Sequence, residues 1–298
     1  KVETVYHAAA YKHVSLVEEN ICESIKNNVL GTFQIAQIAI SNNVSNFVLI
    51  SSDKAVRSTN VMGASKRLAE ICIQSLYNST NTNAKFAIVR FGNVLESSGS
   101  VIPKFKKQIK EGGPVTLTHP EVTRYFMTVT EASQLVIQAG SMSEGCEVFV
   151  LDMGQSIKIR DLIYKMIKLS GLTVKDINNL EGDIEVKVIG LRPGEKLYEE
   201  LLLGDNPQKT YHEKIQKAQD PYIPFSQLKI ELDFLSTLLE EDKSNEVKNL
   251  LDKLIPSYKS NSKIIDHIYL SKLNSNKNIK SFSKIEGNEN KVISIKAK

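Results

Sequence analysis

Short apolar runs alternate with longer amphipathic stretches near the start of the chain, and this alternation most restricts the possible fold. Runs rich in branched residues at Val2–Ala10, Asn46–Ile50 and Lys85–Arg90 predict buried strands. Apolar residues recur every three or four positions in Val17–Asn43 and Met62–Tyr77, which predicts two helices between those strands. A strand–helix–strand–helix–strand order of these lengths predicts an α/β fold with a parallel, doubly wound sheet.

After Asn93 the pattern is less regular, and we expect a smaller α/β region there. Strands are predicted at Val115–Thr118, Glu147–Asp152 and Ile184–Val188. Helices are predicted at Ile102–Lys110, from Thr130 onwards, at Ile159–Leu169, at Leu197–Leu202 and, as one or two helices, at Leu228–Leu254.

Composition excludes several classes of protein. The net charge of +4 is small for 298 residues and comes largely from a lysine-rich C-terminal stretch, so we expect no nucleic acid partner. Cys22, Cys72 and Cys146 form no C-x-x-C pair, which predicts buried free thiols in a reducing compartment. The scattered histidines have no metal-ligand spacing, so we expect no metal site.

The start of the sequence predicts a piece of a longer protein. Lys1 leads directly into a strand, and no G-x-G-x-x-G turn or ribose-reading acidic residue is present. No apolar run reaches the ~18 residues of a membrane span, and no secretory signal pattern occurs. We therefore expect a cytoplasmic protein, or one at the cytoplasmic face of the inner membrane if upstream residues supply an anchor.

An acidic residue and an amine stand side by side directly after the second predicted strand. Asp53 and Lys54 follow Ser51 and Ser52 there, and a second lysine, Lys66, lies in the first turns of the next helix. Ligands of open α/β sheets bind at the carboxyl ends of the strands, so these residues predict an active site. The alternative is a solvated Asp–Lys pair in a turn; the strand end and the helix lysine favour the active site.

Six short motifs occur in order along the chain: His7–Val14, Asn27–Thr32, Ser52–Lys54, Met62–Arg67, Arg90–Val94 and Leu191–Lys196. Together they resemble the extended short-chain dehydrogenase/reductases that act on nucleotide sugars. Within that family the chain is similar to the UDP-N-acetylglucosamine 4,6-dehydratases of the CapD-like polysaccharide biosynthesis group. The resemblance extends from about Val2 to Leu203 and adds nothing specific beyond about Gln208.

The resemblance implies a fold and a division of the chain. It implies a partial Rossmann-type sheet formed by residues 1–95 and 130–155. It implies a smaller α/β substrate-binding region formed by residues 96–129 and 156–256. Residues 257–298, rich in Lys, Asn and Ser, are predicted to be a mobile tail.

The resemblance also implies a reaction and its partners. The C4 hydroxyl of a UDP-linked hexose is oxidised, the C5 proton and the C6 hydroxyl leave as water, and hydride returns to C6. NAD or NADP carries the hydride, while the protein supplies geometry and proton transfer. A homo-oligomer is a further implication. The choice between NAD and NADP stays open because the ribose-reading segment is missing.

The residues around the second strand end take roles in that reaction. Asp53 is expected to protonate the departing C6 hydroxyl, and Lys54 to take the C5 proton, which requires a lowered pKa. Lys66 matches the lysine that binds the nicotinamide ribose, while Met62 replaces the tyrosine four residues earlier. A thioether cannot take a proton, so Asp53, Ser52 or an ordered water are the candidates to deprotonate the C4 hydroxyl. Core packing is the alternative role for Met62.

Further residues are assigned by the same resemblance. The expected cofactor contacts, besides Lys66, are Ala8, Ala9, Ala10, Tyr11, Lys12, Asn28, Ser51 and Phe91, with Asn28 steadying the sheet behind the site. The expected substrate contacts are Asn93, Val101, Pro103, Phe105, Thr116, Leu117, Thr118, Arg124, Arg192 and Glu195. The two arginines are predicted to hold the diphosphate, because a guanidinium provides charged, forked donors.

Two residues depart from the pattern of the family. Glu96 occupies a position that is usually glycine, which is expected either to tilt the substrate loop or to add negative charge near the phosphates. Ser52 replaces a frequent threonine and keeps the hydroxyl.

Two other functions are alternatives to the dehydratase. A C4 epimerase would use the same ketone without elimination and would leave Asp53 and Lys54 idle. A non-catalytic nucleotide-sugar binder is the third interpretation, supported by Met62 and the missing cofactor turn.

Overall fold

The structure, a computed structural model, describes residues 1–202, 207–259 and 263–272. Its strands are, in chain order, β1 Thr4–His7, β2 Asn46–Ile50, β3 Lys85–Arg90, β4 Asn93–Val94, β5 Val115–Leu117, β6 Thr123–Arg124, β7 Phe126–Met127, β8 Cys146–Leu151, β9 Ile157–Lys158, β10 Val174–Lys175, β11 Ile184–Val188, β12 Gln208–Lys209 and β13 Ile215–Ala218. Its helices are α1 Val14–Glu19, α2 Ile21–Ile25, α3 Thr32–Ser41, α4 Val61–Ser79, α5 Val101–Lys110, α6 Val129–Ser141, α7 Ile159–Leu169, α8 Phe225–Glu240 and α9 Ser244–Leu254.

The main sheet has the strand order β1-β2-β3-β8-β13-β12. The first four strands are parallel, whereas β13 runs antiparallel to β8. The predicted α/β fold with a doubly wound parallel sheet is therefore confirmed, and the bounds of β2 and β3 match the prediction. The antiparallel edge formed by β13 and β12 was not predicted.

Alternating side chains of the central strands bury both faces of this sheet. Phe47 and Leu49 of β2 pack with α3 and α4 on one face. Val48 points to the other face and packs with α6. Because every central strand contributes side chains to both layers, its sequence is a continuous apolar run and not an alternation of apolar and polar residues.

A second, smaller core forms beside the main sheet. Helices α5 and α7 pack on strands β5 and β11 through Phe105, Ile109, Val115, Ile163 and Ile184. This region stands at the carboxyl ends of the main strands, where a ligand of an open sheet binds.

Two predicted helices differ from the observed elements. Val17–Asn43 is broken at Asn20, whose φ of −139° and ψ of 60° are not helical. A π-helical turn, Lys26–Gly31, then joins α2 to α3. Leu197–Leu202 is not a helix, because the carbonyl oxygen of Leu197 accepts hydrogen bonds from the Thr123 amide and from Arg124. Residues from another part of the chain thus donate to the Leu197 carbonyl, which in a helix would accept a hydrogen bond from an amide within the same segment.

The division of the chain also needs a correction towards its C-terminal end. Strand β13 joins the main sheet, and the apolar faces of α8 and α9 pack against α4, so these elements do not belong to the substrate-binding region. Tyr258 and Asp266, assigned to a mobile tail, are buried. The rest of that predicted tail, residues 260–262 and 273–298, lies outside the described residues.

Cysteine burial largely follows the prediction. Cys22 and Cys72 are buried, Cys146 is half-buried, and all three are free thiols. Burial raises the pKa of Cys72 to about 12, which makes its thiol unreactive at neutral pH.

None of the helices within the described ranges combines the length and the apolar character needed to cross a bilayer.

Candidate active site

The candidate site is built where β2 ends and α4 begins. The amide of Ser51 donates to Val89 at 2.8 Å and that of Asp53 donates to Phe91 at 3.1 Å, so strand pairing continues past β2. A 3-10 turn, Asp53–Ala55, follows. Helix α4 is capped by Asn60, whose side-chain oxygen accepts from the Gly63 amide at 2.9 Å. These local contacts bring the two site lysines, Lys54 and Lys66, to one edge of the sheet.

A cavity of about 650 Å³ opens at this edge. The predicted site residues that line it are Ala8, Ala10, Lys12, Ser51, Ser52, Lys54, Met62, Lys66, Phe91, Asn93, Val101, Phe105, Thr116, Leu117, Thr118, Arg124, Arg192 and Glu195. The predicted residues that do not line it are Ala9, Tyr11, Asn28, Asp53 and Pro103. The fold therefore brings most of the predicted residues together around one space.

Asp53 and Lys54 form a coupled pair at the wall of this cavity. Lys54 Nζ lies 2.9 Å from Asp53 Oδ1 and 3.2 Å from Asn93 Oδ1. Ser52 Oγ donates to the same Asp53 oxygen at 2.8 Å. Asp53 is fully buried, whereas the Lys54 side chain is 19% exposed. The amine and the serine hydroxyl thus reach the cavity, and the carboxylate stands behind them.

The expected lowering of the Lys54 pKa is wrong for this structure. Burial disfavours the ammonium, but the charges of Asp53 and Glu199 outweigh burial and raise the pKa of Lys54. Lys54 is therefore held as an ammonium at neutral pH.

Lys66 and Met62 face the cavity from α4. Lys66 Nζ donates to the carbonyl of Ile50 at 2.7 Å. Burial lowers the pKa of Lys66 to about 8, with Glu70 opposing the shift. Met62 is only 3% exposed, which is also compatible with its alternative role in core packing.

Asn28 acts on the loop after β1 rather than on the cavity. Its side chain accepts from the Tyr11 amide at 2.7 Å and donates to the Tyr11 carbonyl at 3.0 Å. It also donates to Ser65 of α4 at 2.9 Å. This buried amide therefore fixes the loop after β1 against α4.

The two arginines differ in availability. Arg124 donates to the carbonyls of Thr123 and Lys196 at 2.7 and 2.9 Å, so most of its guanidinium secures the loop after β11. Arg192 is exposed at the cavity wall, and its amide donates to Glu195 at 3.1 Å. Glu195 also accepts from Thr118 at 2.9 Å. Arg192 is thus the arginine more open to an anionic ligand.

The backbone conformation at Glu96 explains why glycine is usual at this position. Its φ is 59°, in the left-handed region that favours glycine. Its carboxylate points away to solvent and pairs with Lys106. The substitution therefore adds backbone strain of about 1 kcal/mol or more.

A buried ion cluster behind Ser51 was missed in the sequence. Ser51 Oγ donates to Glu70 at 2.5 Å, and Arg90 Nε donates to the same carboxylate at 2.8 Å. Arg67 and Asp220 complete the cluster. Burial opposes ionisation of Glu70, but the two arginines outweigh it and lower the pKa of Glu70 to about 2. Only Arg90, a charged residue ending an apolar strand, gave any signal of this cluster.

Glu199 was also missed, because its sequence position suggested an ordinary helix. Its Oε1 lies 3.6 Å from Lys54 Nζ and 3.7 Å from Arg124 Nε. It lines the cavity together with Lys104, a further basic residue without a predicted role.

The fold and the site define the class of protein as an extended short-chain dehydrogenase/reductase. The defining features are a parallel doubly wound sheet, a lysine-bearing helix after the second strand and a smaller region over the strand ends. More narrowly, the chain belongs to the polysaccharide biosynthesis protein family, whose profile matches residues 1–220.

Named relatives support this assignment. The chain is 56% identical to the capsular polysaccharide biosynthesis protein CapD of Staphylococcus aureus over 75% of its own length and 36% of that protein. It is 36% identical to a UDP-glucose 4-epimerase of Rickettsia rickettsii, over 70% of this chain and 58% of the relative. It is 32% identical to the inverting UDP-N-acetylglucosamine 4,6-dehydratase of Campylobacter jejuni, over 75% of this chain and 63% of the relative. The chain thus spans about a third of the length of CapD.

Solved structures share the fold. Pen from Bacillus thuringiensis superposes with a TM-score of 0.61 at 40% identity, covering 67% of this chain and 60% of that one. The dTDP-glucose 4,6-dehydratase DesIV of Streptomyces venezuelae, described with NAD bound, superposes with a TM-score of 0.57 at 20% identity, covering 70% of each chain. The second likeness concerns the fold alone.

Proposed function

We propose that this chain carries the reaction site of a nucleotide-sugar 4,6-dehydratase that converts UDP-N-acetylglucosamine to a 4-keto-6-deoxy sugar for surface polysaccharide. One observation carries the proposal: Lys54 Nζ stands 2.9 Å from a fully buried Asp53, at the wall of a cavity that Lys66 also lines. An oxidation at C4 alone needs no such acid–amine pair, whereas elimination of water needs groups that move two protons.

The residues present fit one half of a nicotinamide dinucleotide. Ala8 and Ala10 offer only methyl groups at the strand end, so a ring can approach the backbone closely, and Lys66 supplies an ammonium. When bound, NAD or NADP would supply hydride acceptance and return.

The chain's own groups can balance the protons of the elimination. Lys54 first passes its proton to Asp53 across 2.9 Å, and its free amine then takes the C5 proton. The departing C6 hydroxyl receives the proton held by Asp53, relayed by Ser52, whose hydroxyl is 2.8 Å from that carboxylate and lines the cavity. The C5 proton and the C6 hydroxyl thus leave as one water, and Lys54 ends as an ammonium again.

A second candidate is a C4 epimerase. The 36% identity with a UDP-glucose 4-epimerase favours it. An epimerase would use the same cavity and Lys66, but it would give Asp53 and Lys54 no proton to move at C5 or C6.

The test is to incubate the full-length gene product with UDP-N-acetylglucosamine and follow the nucleotide sugar by mass spectrometry and NMR. A dehydratase yields a product lighter by one water. Asp53→Asn and Lys54→Ala are expected to lower kcat by about 10²- to 10⁴-fold, the usual contribution of acid–base groups.

Asp152→Asn is the matched control. Asp152 is an exposed aspartate after β8 that does not line the cavity, so its loss should leave turnover unchanged. Formation of the C4 epimer without loss of water, or near-normal turnover in both site variants, would refute the proposed reaction.

A further inference from the structure

Glu199 is a buried carboxylate at the reaction site for which no motif assigns a role. Its side chain is 4% exposed and lines the cavity. Its Oε1 lies 3.6 Å from Lys54 Nζ and 3.7 Å from Arg124 Nε, so one carboxylate stands between two cations.

The other oxygen of this carboxylate is a second observation. Glu199 Oε2 is buried, and no hydrogen-bond partner for it occurs in the part of the chain that the structure describes. A buried carboxylate oxygen without a donor is costly unless nearby cations compensate its charge. Within the described residues, the charge of Glu199 is therefore compensated through Oε1 by Lys54 and Arg124.

The contact between Glu199 and Lys54 depends on how the segment after β11 packs. Asp53 is the chain neighbour of Lys54, whereas Glu199 comes from the distant segment after β11. That segment is fixed by the Thr123 amide, which donates to Leu197 at 3.1 Å, and by Arg124, which donates to Lys196 at 2.9 Å. These backbone contacts therefore place the Glu199 carboxylate beside the Lys54 ammonium.

We infer that Glu199 is a positioning residue for Lys54: it holds the ammonium at the cavity wall beside Asp53 and links it to Arg124. The inference rests on the proposed function only in treating Lys54 as the group that transfers a proton. Burial and Arg124 disfavour the ammonium, while Asp53 and Glu199 favour it. Loss of the Glu199 charge should therefore lower the pKa of Lys54.

The first test measures the titration of Lys54 directly. The full-length protein is acetylated briefly at a series of pH values, and the peptide that carries Lys54 is quantified by mass spectrometry. In Glu199→Gln the titration midpoint of Lys54 should fall, and in Glu199→Asp it should fall less, because a carboxylate is retained. Glu200→Gln is the matched control, since Glu200 is a neighbouring glutamate that pairs with Arg57 at the surface.

The second test uses turnover. Glu199→Gln should lower kcat by about 10- to 100-fold, more than it changes KM, because a misplaced amine meets the C5 proton poorly. The upper limb of the pH profile of kcat should move to lower pH, because the active state holds one proton on the Asp53–Lys54 pair and Lys54 would lose it at lower pH. Glu199→Asp should restore part of both.

An unchanged Lys54 midpoint in Glu199→Gln, or an equal shift in Glu200→Gln, would overturn the inference. If the glutamine variant does not fold, the aspartate variant decides, because it must shift the midpoint in the same direction. Acetylation needs no turnover, so this result stands apart from whether the product is a dehydrated sugar or an epimer.

Discussion

At the scale of single residues, the site depends on contacts that leave no room for extra atoms. A Cβ placed on Gly63 would lie 2.1 Å from the carbonyl oxygen of Lys54 and 2.8 Å from Ser58 Oγ. That carbonyl also accepts from Ser58 at 2.7 Å, so the turn carrying Lys54 is pinned against the first turn of α4. The position of the amine therefore depends on the absence of a side chain at Gly63.

Gly63→Ala is expected to destabilise the protein by about 1–3 kcal/mol, as overpacking of a tight contact does. It should also lower turnover, because the Lys54 carbonyl must shift. Chemical denaturation measures the first effect and product formation the second.

Gly31→Ala is the control for this prediction. Gly31 is also helical, but its added Cβ would meet only the Lys26 carbonyl at an ordinary 3.7 Å. This change should be neutral or stabilise by up to about 1 kcal/mol, because alanine has the higher helix propensity. Equal losses in both variants would contradict the prediction, because they would show that the contact with Lys54 does not control the result.

At the scale of elements, the ion cluster around Glu70 joins three parts of the fold. Arg90 ends β3, Glu70 and Arg67 lie on α4, and Asp220 follows β13. All four side chains are 3% exposed or less. Removing one member leaves a buried charge unpaired, which typically costs about 3–5 kcal/mol.

This cluster predicts a pH dependence of stability. The folded-state pKa of Glu70, about 2, lies below its ordinary 4.5, so its stabilising contribution is full above pH 4.5. The contribution, about 3 kcal/mol, is lost as pH falls towards 2. Urea unfolding at several pH values should show the gap between the wild type and Glu70→Gln narrowing over that range. A gap that is constant with pH would contradict the assignment.

Elements with strong local patterns could be predicted, and elements defined by their partners could not. Strands β2 and β3 and helix α7 match their predicted bounds because their apolar residues recur with one clear period. Strand β13, with the sequence Ile-Gln-Lys-Ala, has no such pattern and forms because β8 offers a free edge. Glu199 escaped prediction for the same reason, since its neighbours depend on where a distant loop packs.

At the scale of the whole molecule, the cavity lies between the main sheet and the smaller region. The sequence contains no G-x-G-x-x-G turn, the element that receives a pyrophosphate at a helix N-terminus. The assignment of residues 96–129 to substrate binding remains a prediction, as does a homo-oligomer.

A polypeptide of residues 1–298 alone is expected to hold NAD or NADP weakly, because contacts to the pyrophosphate are missing. Calorimetric titration, with the full-length product of the same gene as the comparison, measures this. Stoichiometric nicotinamide released on denaturing the purified 1–298 polypeptide would contradict the prediction.

The packing of α8 and α9 on α4 sets a practical limit on how this protein can be trimmed. The family profile ends at residue 220, yet Leu228, Leu235 and Leu251 lie fully buried against the helix that carries Lys66. A polypeptide cut at the family boundary would bare this leucine-rich surface and is unsuited to crystallisation or grafting. Fragments designed for either purpose should retain both α8 and α9.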